Sequence, residues 1–381
     1  MGRGRVVGKG VAGAAAVLLL VAGCSSSPDG DGRRTGSPPV PSAPPAPSAS
    51  SAPPAPAAGG MRVAGTLTEG LRSPWGLAEL PGGDLLVSSR DERTITRVDA
   101  PTGRRTTLGE VPGVVPGGEG GLMGLAVRDG WVYAYLTSAS DNRIVRMRYG
   151  GGAGDRLGAP EPVLTGLPKG LIHNGGRIAF GPDGMLYAGT GETGRTGLAQ
   201  DKGSLGGKIL RMTPEGRPAP GNPFPDSVVY SYGHRNVQGL AWDADGRLWA
   251  SEFGQNTWDE LNLIEPGRNY GWPVVEGTAG RAGFTDPVAQ WPTDQASPSG
   301  IAYARGAIWM AGLRGERLWR IPLSGAERSG EPRAFLKDEY GRLRTVLATG
   351  GGAGLWLVTS ETDTRGTPGP GDDRILRLEV G

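Results

Sequence analysis

Ile178-Ala179-Phe180-Gly181-Pro182-Asp183-Gly184-Met185-Leu186-Tyr187-Ala188-Gly189 is the stretch that decides the fold. An apolar–small pair leads into Pro-Asp-Gly, a turn whose glycine takes positive φ at no steric cost, and strand-forming residues lead out. It reads as two strands joined by a tight turn. The unit recurs on both sides. Gly76-Leu77-Ala78 precedes Gly82-Gly83 and Leu85-Leu86-Val87, and Gly124-Leu125-Ala126 precedes Trp131-Val132-Tyr133. Gly239-Leu240-Ala241 precedes Asp245-Gly246 and Leu248-Trp249. Gly300-Ile301-Ala302 precedes Ile308-Trp309, and Val346-Leu347-Ala348 precedes Leu355-Trp356-Leu357. A further alternating element follows most copies, at residues 94–98, 143–146, 208–211, 317–320 and 374–377, with 260–264 taking that place in the fourth. Arginine alternating with aliphatic residues suits an outer strand with one wet face. Six copies between Met61 and Gly381 leave about 53 residues each, the size of a four-stranded propeller blade. The expectation is an all-β, six-bladed β-propeller with four antiparallel strands per blade over residues 61–381.

Composition agrees. The 381 residues include 69 glycines and 33 prolines, more than a quarter of the chain, against roughly 12 % in an average protein. Helix interiors do not carry that load. One cysteine excludes a disulfide framework and a cysteine-rich zinc site, and two histidines exclude a multi-histidine metal centre. A net charge of +2 without a clustered basic excess argues against nucleic acid as partner.

Residues 1–60 read differently. Arg3, Arg5 and Lys9 precede an apolar, small-residue run at 11–21, and Val21-Ala22-Gly23-Cys24 follows. The run is too short to span a bilayer and has the layout of a secretory signal over 1–23. A small-residue triplet ending in cysteine resembles the bacterial lipoprotein box, which implies lipidation of Cys24, a stable membrane anchor and an extracytoplasmic location. Residues 24–60 are Pro, Ala, Ser and Gly-rich, with too little apolar surface to offset ordering entropy, and read as a disordered, semi-extended linker.

Function must come from loops at one end of the channel. Both histidines lie just before inner strands of adjacent blades, in His173-Asn174-Gly175-Gly176-Arg177 and Gly233-His234-Arg235-Asn236. Equivalent placement points at least one of them into the channel mouth. The stretches 251–260 and 268–273 are rich in oxygen donors and glycine, which suits either a hard cation such as calcium or a hydrogen-bonded polar turn. Arg235, Arg314, Arg342 and Arg344 stand at blade entrances, where they are either solvated charge or a clamp for carboxylates or phosphates.

Taken together, Ser73-Pro74-Trp75-Gly76-Leu77, Gly120-Gly121-Leu122-Met123-Gly124, the two histidine motifs, Gly206-Gly207-Lys208-Ile209-Leu210-Arg211, Asp259-Glu260-Leu261-Asn262 and Asn269-Tyr270-Gly271-Trp272-Pro273 resemble the PQQ-dependent soluble aldose sugar dehydrogenases, the glucose/sorbosone dehydrogenase family. The resemblance covers residues 64–380. It implies oxidation of aldose sugars at C1 to lactones, with PQQ and Ca2+ as cofactors and an unassigned electron acceptor. His173 matches the general base, and Arg235 and Asn236 match groups over the quinone carbonyls. Arg314 stands where the family has a lysine, and Arg342 and Arg344 match a pair on PQQ carboxylates. The carbonyls of Gly254 and Gln255 match ligands of the PQQ-bound calcium, and Glu260 and Tyr270 match ligands of a separate structural calcium.

Some positions depart from the glucose enzymes. Glu119 replaces a glutamine near the substrate, Ile172 an aspartate before the base, and Gln255 a proline, while Trp291 falls near an aromatic substrate wall. These changes favour the broad aldose-type relatives over strict glucose specificity. The competing readings are a non-catalytic propeller binding glycans or a protein, and a calcium-dependent lactonase-type hydrolase.

Overall fold

The computed structural model describes residues 57–150 and 156–381. Cys24, the leader and most of the linker lie outside the described residues. Six antiparallel sheets follow one another in sequence, each with four principal strands. The first blade is Pro74–Glu79, Leu85–Ser89, Thr94–Val98 and Arg105–Glu110. The inner strands of the next five are Leu122–Arg128, Ile178–Phe180, Val237–Trp242, Pro298–Ala304 and Leu343–Ala348. Each inner strand touches that of the next blade, and the last touches the first, so the ring is closed. This is the six-bladed propeller expected.

Blade six draws its outermost strand from the other end of the fold. Met61–Thr68 pairs antiparallel with Ile375–Val380, from Met61 opposite Val380 to Thr68 opposite Ile375. The sequence reading found the three late strands of this blade but not the early one. A single alternating strand carries no local sign of the partner it will meet.

The hydrophobic core is divided into six clusters, one at each blade–blade interface. Tyr133 and Tyr135 of blade two pack with Ile178, Leu186 and Leu210 of blade three. Trp249 and Leu261 of blade four pack with Ile308 and Met310 of blade five, and the remaining interfaces repeat the pattern. Each sheet is therefore apolar on both faces near the channel.

The glycine of the repeated Gly-Leu-Ala unit has a packing reason. A Cβ on Gly76 would lie 2.4 Å from the carbonyl oxygen of Met123, and one on Gly124 would lie 2.2 Å from that of Gly176. Gly239 stands in the same relation to Ser299 O, and Gly300 to the backbone of Thr345. Neighbouring inner strands meet backbone to backbone, and only glycine permits it. Just there the register slips in five inner strands, between Pro74 and Leu77, Leu122 and Leu125, Val237 and Gly239, Pro298 and Ile301, and Leu343 and Thr345. Such bulges interrupt the pairing, which resumes beyond them, and re-aim the residues that lead into the strand.

Gly124→Ala should cost about 1–3 kcal/mol in denaturant unfolding, because rigid backbone must give way. Gly82→Ala, where no atom lies within 4 Å of the added carbon, should change stability by less than about 0.5 kcal/mol. Equal effects of the two substitutions would refute the backbone-contact account.

Candidate active site

Loops at one end of the channel enclose a cavity of about 310 Å3. Its lining includes Glu119, His173, Arg235, Asn236, Gly254, Gln255, Arg314, Arg342 and Arg344, nine residues from different blades singled out in the sequence. Arg90, Trp75, Gln238, Asp259, Asp363 and Arg365 join them. Six guanidinium groups thus face three carboxyl groups, and this excess of positive charge suits an anionic ligand.

His173 is buried and holds a left-handed backbone, φ +52°, which a non-glycine residue adopts only when its surroundings impose it. Its N–H donates to Glu119 Oε2 at 2.8 Å, and its carbonyl accepts from Thr193 N at 3.2 Å. Gly191 presses against that carbonyl so closely that a Cβ there would sit 1.9 Å from the oxygen. The imidazole Nδ1 is 2.6 Å from Glu192 Oε1, and the Glu192 carboxylate is almost wholly buried. A carboxylate at this distance favours the tautomer with the proton on Nδ1, in which Nε2 carries a lone pair. Glu192 is anchored in turn by its own N–H, which donates to Arg235 O.

Arg235 is clamped by Gln255, whose Oε1 accepts from Nε at 2.9 Å and from Nη2 at 2.7 Å, and its Nη1 donates to Phe253 O. Burial lowers its pKa, while the carboxylates of Glu192 and Glu252 act against that shift. Asn236 Oδ1 accepts from Gly175 N, whereas its Nδ2 is buried with no partner. Across the cavity, Asp363 Oδ2 accepts from Arg342 Nη2 at 3.0 Å and Arg344 Nη2 at 2.9 Å. Burial alone would raise the Asp363 pKa, but the charges of Arg344 and Arg342 outweigh it and hold it at about 2. The Nε atoms of both arginines are buried without a partner. Arg314 lies exposed at the rim and makes no hydrogen bond or ion pair among the described residues.

The second histidine is structural. His234 is fully buried, stacked on Tyr270 at 4.7 Å, between Ser231 Oγ and Glu252 Oε2, each 2.8 Å away. Serine, histidine and acid are in line, but no substrate reaches them. The carboxyls that line the cavity do not converge on a hydrolase metal either. Glu119 is spent on His173 N and Arg365, Asp259 on the N–H groups of Gly254 and Ser297, and Asp363 on its two arginines.

The sequence matches the family described as Glucose / Sorbosone dehydrogenase over residues 71–368. This chain belongs to the glucose/sorbosone dehydrogenase family. The PQQ-bound form of aldose sugar dehydrogenase from Streptomyces coelicolor is 70% identical, with a TM-score of 0.83, and the match covers 86% of this chain and 100% of that one. Quinoprotein glucose dehydrogenase B of Acinetobacter calcoaceticus is 32% identical over 56% of this chain and 53% of its own length. Aldose sugar dehydrogenase YliI of Escherichia coli is 28% identical over 78% of this chain and 89% of its own.

In this glucose/sorbosone dehydrogenase family member, two candidate metal ligands lie beside the cavity rather than in it. Glu260 and Tyr270 line a small recess with Gly254, Glu252 and Glu276. Burial, and then the nearby Glu252 carboxylate, push Glu260 up to about 8, and Asn262 Oδ1 beside it is a buried acceptor with no donor. Oxygen donors of this kind suit a hard cation, but both carboxyls are engaged, Glu260 with Asn262 Nδ2 and Gly277 N and Glu252 with His234 and Arg235 N, so Asn262 Oδ1, outside the recess lining, is the uncommitted oxygen of the set. The Tyr270 hydroxyl is already committed to Leu263 O and Glu265 N, which leaves only the backbone of Tyr270 for that role.

Trp291 requires correction. It belongs to Ala289–Pro292, the outermost strand of blade four, and packs on Trp319 at 5.7 Å in the core between blades four and five. That strand is the farthest of its blade from the channel, so Trp291 forms no wall of the central cavity.

Glu192, Asp363, Arg90 and Arg365 were missed. A signal for Glu192 existed. Thr190-Gly191-Glu192, Ala250-Ser251-Glu252 and Thr359-Ser360-Glu361 each place an acid at or just beyond the end of a second strand. Glu252 and Glu361 each accept the backbone N–H of the arginine that opens an inner strand, Arg235 and Arg342 respectively, and Glu192 takes His173 instead.

The folded pKa of Asp363 lies below its ordinary 3.8, so its contribution to stability is complete above about pH 4 and is lost as pH falls toward 2. Asp363→Asn should flatten that limb of the stability–pH curve. At pH 7 it should cost about 3 kcal/mol in chemical unfolding, because two buried guanidinium groups lose their counter-ion. Parallel curves for the two proteins would contradict this role.

Proposed function

We propose that this protein is a PQQ- and calcium-dependent aldose dehydrogenase that oxidises the C1 hydroxyl of aldose sugars to lactones. The observation that carries the reading is the His173–Glu192 pair at the wall of a cavity lined by six arginines. The residues present fit the cofactor. PQQ has three carboxylates, and Arg342 Nε, Arg344 Nε and Asn236 Nδ2 are buried donors without partners. Arg342, Arg344 and Arg314 would hold the carboxylates, while Arg235 and Asn236 would donate to the quinone oxygens. The carbonyls of Gly254 and Gln255, which accept no hydrogen bond among the described residues, would hold the calcium that polarises the quinone. When bound, PQQ supplies the two-electron acceptor for the C1 hydride. The PQQ-bound structure of the 70% identical Streptomyces protein supports the same reading.

The chain's own part is acid–base and electrostatic. His173 Nε2 takes the proton of the C1 hydroxyl as the hydride leaves, and the buried Glu192 carboxylate stabilises the imidazolium that results. The Gln255 clamp keeps Arg235 pointing in one direction, so no reorganisation is needed as negative charge develops. Ile172, half-exposed beside the base, offers no hydrogen bond to a sugar hydroxyl, and Glu119 has both oxygens engaged. Discrimination among aldoses on this side of the base is therefore weak. We further assign Cys24 as a lipid attachment site that holds the enzyme at the outer face of the membrane, with the electrons leaving to a separate acceptor.

Dye reduction with PQQ, calcium and a panel of aldoses tests the activity; no turnover with any aldose would end the proposal. His173→Ala should retain PQQ binding and lose about 10²–10⁴-fold in kcat. Glu192→Gln should lower kcat about tenfold or more and shift the acid limb of the pH–rate profile, while PQQ affinity stays within threefold. Cys24→Ser should move the protein from the membrane fraction to the soluble fraction.

A further inference from the structure

Arg177 is a buried cation that the reaction as described does not use. Its Nε donates to Gln238 O at 2.8 Å and its Nη2 to Thr345 Oγ1 at 3.1 Å. Its guanidinium carbon lies 4.4 Å from the Trp75 ring centre, and that of Arg344 lies 5.7 Å from the same ring. Thus every direct partner is neutral. Among the described residues Arg177 forms no ion pair, and the one charge acting strongly on it is that of Arg344, which repels it. Burial, with Arg344 adding to it, lowers its pKa to about 9, so it remains charged at neutral pH.

A buried charge without a counter-ion costs several kcal/mol. Four of the six cavity arginines are paired directly with an acid: Arg342 and Arg344 share Asp363, Arg90 pairs with Asp91, and Arg365 pairs with Glu119. Arg235 has the carboxylates of Glu192 and Glu252 acting on it, and Arg314 is exposed to solvent. Arg177 has no such acid. It stands one side-chain layer behind the cavity wall, since Trp75, Gln238 and Arg344 all line that cavity. Three of its neighbours face the cavity, which makes an anion bound there the nearest available counter-charge.

We propose that Arg177 is an electrostatic positioning residue whose counter-ion is the anionic cofactor, held through the Trp75 and Gln238 layer without direct contact. The inference rests on the PQQ reading above. Two consequences distinguish it from a packing role. Arg177 strengthens cofactor binding while weakening the apo-protein, because its charge is compensated only when the cavity is filled. It also favours the reduced cofactor, which carries more negative charge on its oxygens, and so raises the midpoint potential.

The full-length apo-protein with calcium would be titrated with PQQ by fluorescence quenching, and the loaded protein by spectroelectrochemistry. Arg177→Met should bind PQQ at least tenfold more weakly. Its potential should fall by about 30 mV, the equivalent of a tenfold change for a two-electron couple. Arg177→Lys, which keeps the charge, should stay within threefold in affinity and close to wild type in potential. Should the methionine variant fail to fold, Arg177→Gln keeps a donor for Gln238 and removes only the charge, and the same losses are expected. Unchanged affinity and potential in the neutral variants, or a lysine variant as weak as methionine, overturns the proposal. Wild-type protein that binds no PQQ overturns the reading beneath it as well.

Discussion

The antiparallel pairing of Met61–Thr68 with Ile375–Val380 is the contact on which the rest depends. A propeller has no central core to hold it together. Its apolar surface is spread over six interfaces, each satisfied only by the blade on either side. An open array would leave two sheets with bare apolar faces. The early strand completes the last blade with main-chain hydrogen bonds, and the closed circle then sets the spacing of the six inner strands. Everything at the channel mouth inherits that spacing, including the distance from His173 on blade three to Arg342 on blade six.

On this frame the site is governed by charge. Three kinds of compensation coexist around one cavity. Asp363 neutralises two guanidinium groups, Gln255 holds Arg235 through a neutral oxygen, and Arg177 has no acid at all. The sum leaves a deep positive cavity whose donors are partly unused. The carboxylates are turned away from the cavity by their own commitments, Glu119 to the strained backbone of His173 and Asp259 to the N–H groups of Gly254 and Ser297. The protein thus excludes cations from the arginine side while keeping backbone carbonyls free at Gly254 and Gln255.

Much of this was legible in the sequence because repetition makes position readable. Once Gly-Leu-Ala marked the inner strands, residues just before them had to cluster at one end, and His173, Arg235, Asn236, Arg342 and Arg344 do so. What escaped was whatever depends on contacts between distant segments. Glu192 faces His173 only because Gly191 lets one loop lie against another, and Asp363 meets its arginines from a loop with no periodic signature. Trp291 went astray for the opposite reason: a tryptophan near the right place in sequence sits on the strand farthest from the channel. Residue type suggested a substrate wall, but the order of strands across the sheet decided otherwise.

The backbone contacts at Gly76, Gly124, Gly239 and Gly300 have one more consequence. Where main chain touches main chain, at these four of the six inner strands, the spacing is set by peptide dimensions and not by side chains. No larger residue enters at these four glycines without pushing neighbouring backbone apart. At blades three and six the side chains of Arg177 and Thr345 bridge to the next strand instead. Loops at the rim, such as those bearing Glu119, Ile172 and Arg365, meet no such constraint and can change length or sequence while these contacts stay the same.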